Sequence, residues 1–525
     1  VEEAHVAEGA RSARGEHPFI ALVAVGARSH ALDEHTGPEK GWDMREYSRS
    51  ITTEPSTDVL VVGSGPAGLA AAISAARGGA SVRLVERYGF LGGNLTGGLV
   101  GPCMTSFSLD GRTQLIRGIF DEFVRRMEAL GGAVHPSRTV SGSPYSGFMT
   151  FGHEAVTPFD PEVAKRVSME MALEAGVELM LHSLVIDTVV EDGAVTGVVI
   201  AHKGGLSFLP AEVTIDASGD GDVAARGGAE FGYGREEDGE VQPMTLFFRI
   251  RDVDDEAVTR YQEAHPEERF PFQSIVERVH REGTYSLPRR GVQIFKTLDP
   301  GVWRVNTTRV TGVDGRDVHD LTRAEVAARH QVVQLLDFFR RELPGLEQCR
   351  LLDTAETIGV RETRRIHGEY ALTLEDLVEG RPFDDVIAVA GYPVDIHSPT
   401  SINGPFDDGV PPTANVYEIP YRALVPARLD GLLMAGRCIS GSHEALAAIR
   451  VMPPAFALGE AAGAAAAGAV AAHLAPREID VSALQERLLD QGAYLGERLR
   501  EPAGPDAVPS DAVPSAAAPQ TSASR

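Results

Sequence analysis

The chain has 525 residues, 43% of them hydrophobic and 24% charged, and a formal net charge of −26. This composition fits a soluble globular enzyme of two or three domains, and the acidic excess disfavours non-specific binding to nucleic acid or to an anionic membrane. The three cysteines, Cys103, Cys349 and Cys438, lie far apart, which argues against a redox disulfide, a zinc ribbon or a set of thiolate ligands, and no metal site is expected.

Residues 1–56 mix Gly, Ser, Glu, His and Pro with little periodicity and read as a disordered extension. Met44, just before the first strand, is the expected start of translation. Phe19 to Ala27 faintly resembles a signal peptide but lacks a twin arginine, and with so few cysteines a cytoplasmic location is expected.

Thr57 to Glu86 carries the clearest signal. Val59 to Val62 is a short apolar run suited to a parallel strand buried on both faces. Gly63-Ser64-Gly65-Pro66-Ala67-Gly68 follows at once, then an alanine-rich helix to Arg77, then a second strand from Ser81 to Val85 ending at Glu86. Gly63 permits the tight turn, Gly65 lets the backbone approach a pyrophosphate, and Gly68 lets helix and strand pack closely. The helix N-terminus faces the phosphates. Glu86, 21 residues after Gly65, stands where an acid accepts hydrogen bonds from a ribose. Dinucleotide binding is expected here.

The loop from Arg87 to Gly98 is glycine-rich and is expected to pass close to the same cofactor. Arg117 to Leu130 has the spacing of an amphipathic helix. Residues 135–158 are irregular and suit a pocket wall. Asp160-Pro161 is an N-cap followed by proline at N1, opening a helix to about Ala175. Glu178 to Val199 alternates around Asp192-Gly193, a hairpin signal. A strand ending at Asp216 turns through Ala217-Ser218-Gly219 into a helix near Val223, which puts small residues where open α/β sheets bind ligands.

Residues 230–425 lack a dinucleotide motif and read as a separate α+β domain, with strands at Leu246 to Arg251 and Val302 to Val310 and a long helix from Ala324 to Arg341. Gly431 to Arg437 is a short strand ending in Gly436-Arg437. Pro453-Pro454 then opens an Ala-rich helix, read as Ala455 to about His473 with Pro454 at N1 and free N–H groups at its start. Its apolar run falls below the ~20 residues a bilayer requires. Val481 to Leu495 is one more helix, and 499–525, with DAVPS twice, is a disordered tail. The expected domains are thus 57–229 and 426–498 around the cofactor, with 230–425 between them.

VLVVGSGPAGLAAA…VRLVE, GFLGGN, IDASGDGDVAAR, RETRRIHGEY, GYPVDIH and LLMAGRCISGSHEALAAIRVM resemble, in that order, the bacterial FAD-dependent oxidoreductases, whose flavin fold is similar to that of fumarate reductase and succinate dehydrogenase flavoproteins. The resemblance covers Thr57 to Gly496. It implies an α/β fold with a glutathione-reductase-type FAD-binding Rossmann-like domain and an inserted α+β substrate domain. It also implies FAD at the first motif. Gly63, Gly65, Pro66, Ala67 and Gly68 would hold the pyrophosphate, together with Ser64, and Glu86 the adenosine ribose, with Arg87 beside it. Gly93 and Asn94 would lie by the flavin, Val185 would meet the adenine through its backbone, and Ala217, Ser218 and Gly219 would close over the adenosine end. Gly436 and Arg437 would lie along the ribityl–phosphate chain. Met452 and the helix start near Pro454 would face the isoalloxazine, where a positive helix end favours the reduced ring. Succinate dehydrogenase flavoproteins carry a histidine for covalent attachment just before their glycine pair. Here that stretch is Tyr88-Gly89-Phe90-Leu91, so non-covalent FAD is expected.

Candidate catalytic residues are His397, His443 with its neighbour Glu444, and Arg450, as groups able to act as base or to hold substrate. Arg361, Arg364 and Arg365, three and four apart, would share a face if helical and would clamp an anion; a salt-bridged helix face is the other reading. No second glycine motif follows a later strand, so a dedicated NAD(P)H domain is not expected. The expected function is a dehydrogenase or oxidase of a small molecule, with oxygen or a carrier as electron acceptor. A flavin monooxygenase fed by NAD(P)H is the alternative, and an RNA-modifying flavoprotein is disfavoured by the charge.

Overall fold

The computed structural model describes residues 47–286, 289, 291–399 and 412–499. The expected signal-like patch, the start at Met44, the DAVPS repeats and most of both terminal extensions lie outside these residues. The expected boundary at 56 moves: Thr52–Thr53 already pairs in parallel with Ser207 and Phe208.

Most of the fold is a mixed α/β layer around an eight-stranded sheet. Glu178–Met180, Val82–Val85, Thr57–Val62, the C-terminal half of Gly205–Asp216 and Leu432–Met434 run parallel, in that spatial order. Glu178–Met180 therefore belongs to the parallel sheet, and the expected hairpin is only Leu184–Glu191 and Ala194–His202. Its turn needs Asp192 and Gly193 at φ 49° and 83°, a backbone that Asp and Gly tolerate. Gly205–Asp216 is 12 residues long and changes partners along its length. Its first half pairs antiparallel with the hairpin, and its second half lies between Thr57–Val62 and Leu432–Met434. From Thr57–Val62 the chain first builds to one side of the sheet and then returns on the other. That reversal is a topological switch point, and the crevice beyond the strand ends is where such sheets take ligands.

Two helices cross on this sheet with almost no side chain between them. Pro66–Arg77 packs against Met452–Ala472. An ideal Cβ on Gly459 would lie 2.0 Å from the Ala67 carbonyl oxygen, and one on Gly463 2.2 Å from that of Ala71. Met452–Ala472 is long and apolar enough to cross a membrane, but 72% of its most apolar stretch is buried in this core. The helix starts three residues earlier than expected, so Pro453 and Pro454 occupy its second and third positions.

The expected middle domain divides between two cores. The four-stranded antiparallel sheet Ile294–Lys296, Trp303–Val305, Phe248–Arg251 and Arg350–Thr354 packs on the helix Val318–Glu342 around Trp303, Phe338 and Phe339. That helix begins six residues before the expected Ala324, because the Asp317 carboxylate accepts from the His319 and Asp320 N–H groups. By contrast, Ile366, Leu372, Val386–Ala390 and Tyr417 pack into the first core. RETRR is not helical. Arg364–Ile366 is a strand paired with Phe231–Tyr233, so the expected helical face does not exist.

Candidate functional site

One cavity of about 730 Å³ runs from the switch point to the second core. At its first end the glycine motif behaves as its spacing demands. Gly63 has φ 91°, and a Cβ there would lie 2.6 Å from the Ala217 carbonyl oxygen of the neighbouring strand end. A Cβ on Gly68 would lie 1.8 Å from the Gly63 carbonyl oxygen, so helix and turn touch directly. Gly65 differs: a Cβ there would meet nothing within 4 Å, because the residue faces the open cavity at an N-terminus without a side-chain cap. Backbone N–H groups therefore look onto open space of the kind that suits a phosphate.

Ser64, Pro66, Ala67, Glu86, Arg87, Gly93, Asn94 and Val185 also line this end. Glu86 accepts from the Ser64 N–H (2.9 Å) and hydroxyl (2.6 Å) and from the Tyr88 N–H (3.0 Å), which fixes its carboxylate at the strand end. The Arg87 guanidinium lies over the Tyr88 ring, 4.8 Å from its centre. Ala217, Ser218, Gly219, Gly436 and Arg437 form the facing wall. Arg437 pairs with Asp220 at 2.8 Å, while its Nη1 is buried with no partner among the described residues. A buried guanidinium N–H without an acceptor, beside an open glycine cradle, fits a phosphorylated dinucleotide. His182, whose ring packs against Gly89, does not line the cavity.

Val451, Met452 and Ala455 line the middle of the cavity. The expected fan of free N–H groups there is narrower than the sequence suggests. Pro453 and Pro454 have no N–H, and the Ala455 N–H donates to the Val451 carbonyl at 3.1 Å. The positive helix end remains, carried by aligned peptides rather than by several open donors.

The far end holds the ionisable groups. His397 is buried, its Nε2 3.2 Å from Asp395 Oδ1 and its Nδ1 without a partner among the described residues. Burial pushes the imidazole well below its ordinary value, helped by Arg361 and opposed by Asp395. Burial raises the Asp395 carboxyl, but His397, Arg450 and Arg361 outweigh it and hold the group well below the usual carboxylate range. The ring is therefore neutral with its proton on Nε2, and the carboxylate is ionised. Arg450 donates through Nη2 to the Asp395 carbonyl (2.9 Å) and to Gln242 Oε1 (3.1 Å).

Not all the candidates meet here. Arg361, His397 and Arg450 line this end; Arg364 lines the cavity beside Asp220 and Asp222, donating to the Asp220 carbonyl (3.1 Å) and Asp222 Oδ1 (3.0 Å). His443 does not line the cavity: its Nδ1 lies 2.8 Å from Glu362, which also takes Arg365. Glu444 stands in the first turn of the same short helix, His443–Ile449. Among the described residues no group of His, Cys, Asp and Glu has the arrangement of a metal site.

Sequence reasoning missed Asp395, Gln242 and Arg289. Asp395 was within reach, two residues before His397 in an extended stretch where alternate residues share a side. Gln242 and Arg289 carry no local signal.

A family model described as FAD dependent oxidoreductase matches residues 58–488. Among curated proteins the chain is similar to a thiamine thiazole synthase of Aeropyrum pernix, 29% identical over 198 residues, which is 35% of this chain and 63% of that protein. It is also similar to a probable fumarate reductase of Shewanella frigidimarina, 45% identical over 58 residues, 11% of this chain and 10% of that protein. The chain thus spans less than two thirds of these relatives' length. Among solved structures it is similar to a geranylgeranyl bacteriochlorophyll reductase-like protein of Thermoplasma acidophilum, 15% identical, with a TM-score of 0.43 and 84% of each chain covered.

Proposed function

Because the chain belongs to the FAD-dependent oxidoreductase family and takes FAD as its cofactor, we propose that it is a dehydrogenase or oxidase that moves a hydride between a small organic substrate and non-covalent FAD. The nucleotide-binding half is of the glutathione-reductase type, and the core around Trp303 and Phe339 is the substrate-facing unit inserted into it. The electrons leave to oxygen or a soluble carrier in the cytoplasm.

The observation that carries this reading is the Asp395–His397 pair in the wall of the cavity that also contains the phosphate cradle. FAD, when bound, would supply the two-electron acceptor for the hydride of the substrate C–H bond. Gly65, Ala67, Gly436 and Arg437 would hold its phosphates and ribityl chain, and Met452 would face its ring. His397 manages the other half of the balance. Asp395 keeps the proton on Nε2, so Nδ1 is left as the basic nitrogen. It takes the proton of the substrate O–H or N–H while a C=O or C=N bond forms. Burial keeps the ring neutral beforehand, and the ionised Asp395 steadies it once protonated.

Positioned proton transfer of this kind is worth about 10²–10⁴-fold in rate. Purified enzyme is mixed anaerobically with panels of small 2-hydroxy acids, 2-amino acids, alcohols and amines, and flavin bleaching is followed. His397→Asn and Asp395→Asn are expected to bind FAD normally and to bleach about 10²–10⁴-fold more slowly with the substrate found. Bleaching as fast as wild type removes the base from the scheme. Bleaching only by NAD(P)H turns the reading to a monooxygenase.

A further inference from the structure

The far end of the cavity is lined and backed by arginines. Arg361 lines it, buried, and donates through Nη1 to the Pro243 carbonyl (2.5 Å) and to Thr245 Oγ1 (2.7 Å). Arg289, also buried, donates to the same Thr245 hydroxyl (3.4 Å) and to Gln293 Oε1 (2.8 Å). All three of these acceptors are uncharged. Neither guanidinium makes an ion pair among the described residues. Arg450 is different, because Asp395 Oδ2 lies 3.6 Å away and neutralises it.

Arg289 Nε, Arg450 Nε and Gln242 Nε2 in this region are buried without an acceptor among the described residues. The Gln242 amide orientation is fixed by its neighbours, since its oxygen accepts from Arg450 Nη2 (3.1 Å) and from the His397 N–H (3.4 Å). The electrostatics agree with the count. Burial pushes Arg361 well below its ordinary value, and Arg289 and Arg450 push it further; burial likewise lowers Arg289 to about 9. Arginine stays protonated in proteins, so this strain falls on the cavity rather than being released by proton loss. Isolated buried charges are costly, and a protein that keeps one in a cavity wall, with a second behind it, is complementary to an anion that enters.

We propose that the substrate carries one carboxylate, seated against Arg361 and backed by Arg289, with its reacting C–H and O–H or N–H directed toward His397. The inference rests on the hydride-transfer reading for the second half of that sentence only. One carboxylate suits the single fork of this pair that reaches the cavity: Arg361 lines it, Arg289 stands behind and shares the Thr245 hydroxyl, and Arg450 already has Asp395. A planar guanidinium fork takes a carboxylate in two parallel hydrogen bonds, which fixes the rest of the molecule in one orientation. A small 2-hydroxy or 2-amino acid has this form, with the oxidisable carbon adjoining the carboxylate.

The test needs no turnover. Oxidised holoenzyme is titrated with benzoate and propionate, with benzamide and propionamide, and with malonate. Binding is read from the perturbation of the flavin absorbance band and from calorimetry. Each carboxylate is expected to bind at least tenfold more tightly than its amide, and malonate no more tightly than propionate. Arg361→Gln and Arg289→Gln are expected to lower carboxylate affinity at least tenfold while FAD content and amide affinity stay unchanged, and Arg361→Lys is expected to recover part of the loss. Equal affinity for acid and amide, or variants that bind carboxylate as wild type does, overturns the proposal. Much tighter binding of malonate overturns the count of one. If the glutamine variants do not fold, the acid-to-amide ratio of the wild-type enzyme decides alone. No electron moves in this experiment. Its failure therefore leaves the role of His397 standing, and failure of the bleaching test leaves the carboxylate site standing.

Discussion

Glu460 lies in the buried middle of Met452–Ala472, an acid in an otherwise apolar helix. Its Oε2 accepts from the Ile119 N–H at 3.1 Å, and its Oε1 has no partner among the described residues. The first turn of Gly118–Ala129 closes over it so tightly that a Cβ on Gly118 would stand 2.4 Å from Oε2. Burial raises the carboxyl from 4.5 to about 8, against the pull of the Ile119 N–H and Arg77. The folded protein therefore binds this proton more tightly than the unfolded chain. The stability this supplies is fully present below pH 4.5 and is lost as pH rises through about 8. A gap of roughly 3.5 units at about 1.4 kcal/mol each makes the loss about 5 kcal/mol, as an upper figure. Glu460→Gln keeps the shape and the acceptor for Ile119 but has no proton to lose. Melting temperatures of both holoenzymes are measured at pH 5.5, 7 and 8.5. The variant is expected to gain on wild type as pH rises, by several degrees at ~2 °C per kcal/mol. Melting curves that shift in parallel with pH would refute the reasoning, because they would mean that Glu460 is already ionised or is reached by water.

Two other outcomes test the cofactor end. Gly463→Ala places a methyl group 2.2 Å from the Ala71 carbonyl oxygen, so the two crossing helices must part by more than 1 Å. The expected cost is ~1–3 kcal/mol, seen as a lower melting temperature with weaker FAD retention, and an unchanged melt would show that the crossing is loose. Acid precipitation of the holoenzyme is expected to leave FAD in the supernatant, since Tyr88-Gly89-Phe90-Leu91, just before Gly92-Gly93, holds no histidine and His182 lies outside the cavity wall; yellow colour in the washed pellet would contradict this.

The sequence alone determined what depends on near neighbours. The strand–glycine–helix unit, the Asp160 cap and the Asp192-Gly193 turn were legible because each is a backbone conformation that a few adjacent residues permit or forbid. The resemblance placed the second cofactor segment at Gly436 and Arg437, and both line the cavity with the first. Tertiary structure decided whatever depends on residues brought from afar. RETRR has helical spacing, yet it runs extended because Arg364–Ile366 finds a strand partner in Phe231–Tyr233, while Arg361 and Glu362 find theirs at Pro243, Thr245, Gln242 and His443. The same buried partners separate His443 from His397: one is held by a carboxylate away from the cavity, the other lines it with Nδ1 unpartnered. The balance of charge around Asp395 draws on Arg289, Arg361 and Arg450, which are scattered over some 160 residues. No periodicity encodes such a sum, because Coulomb interactions act through space and only the fold sets those distances.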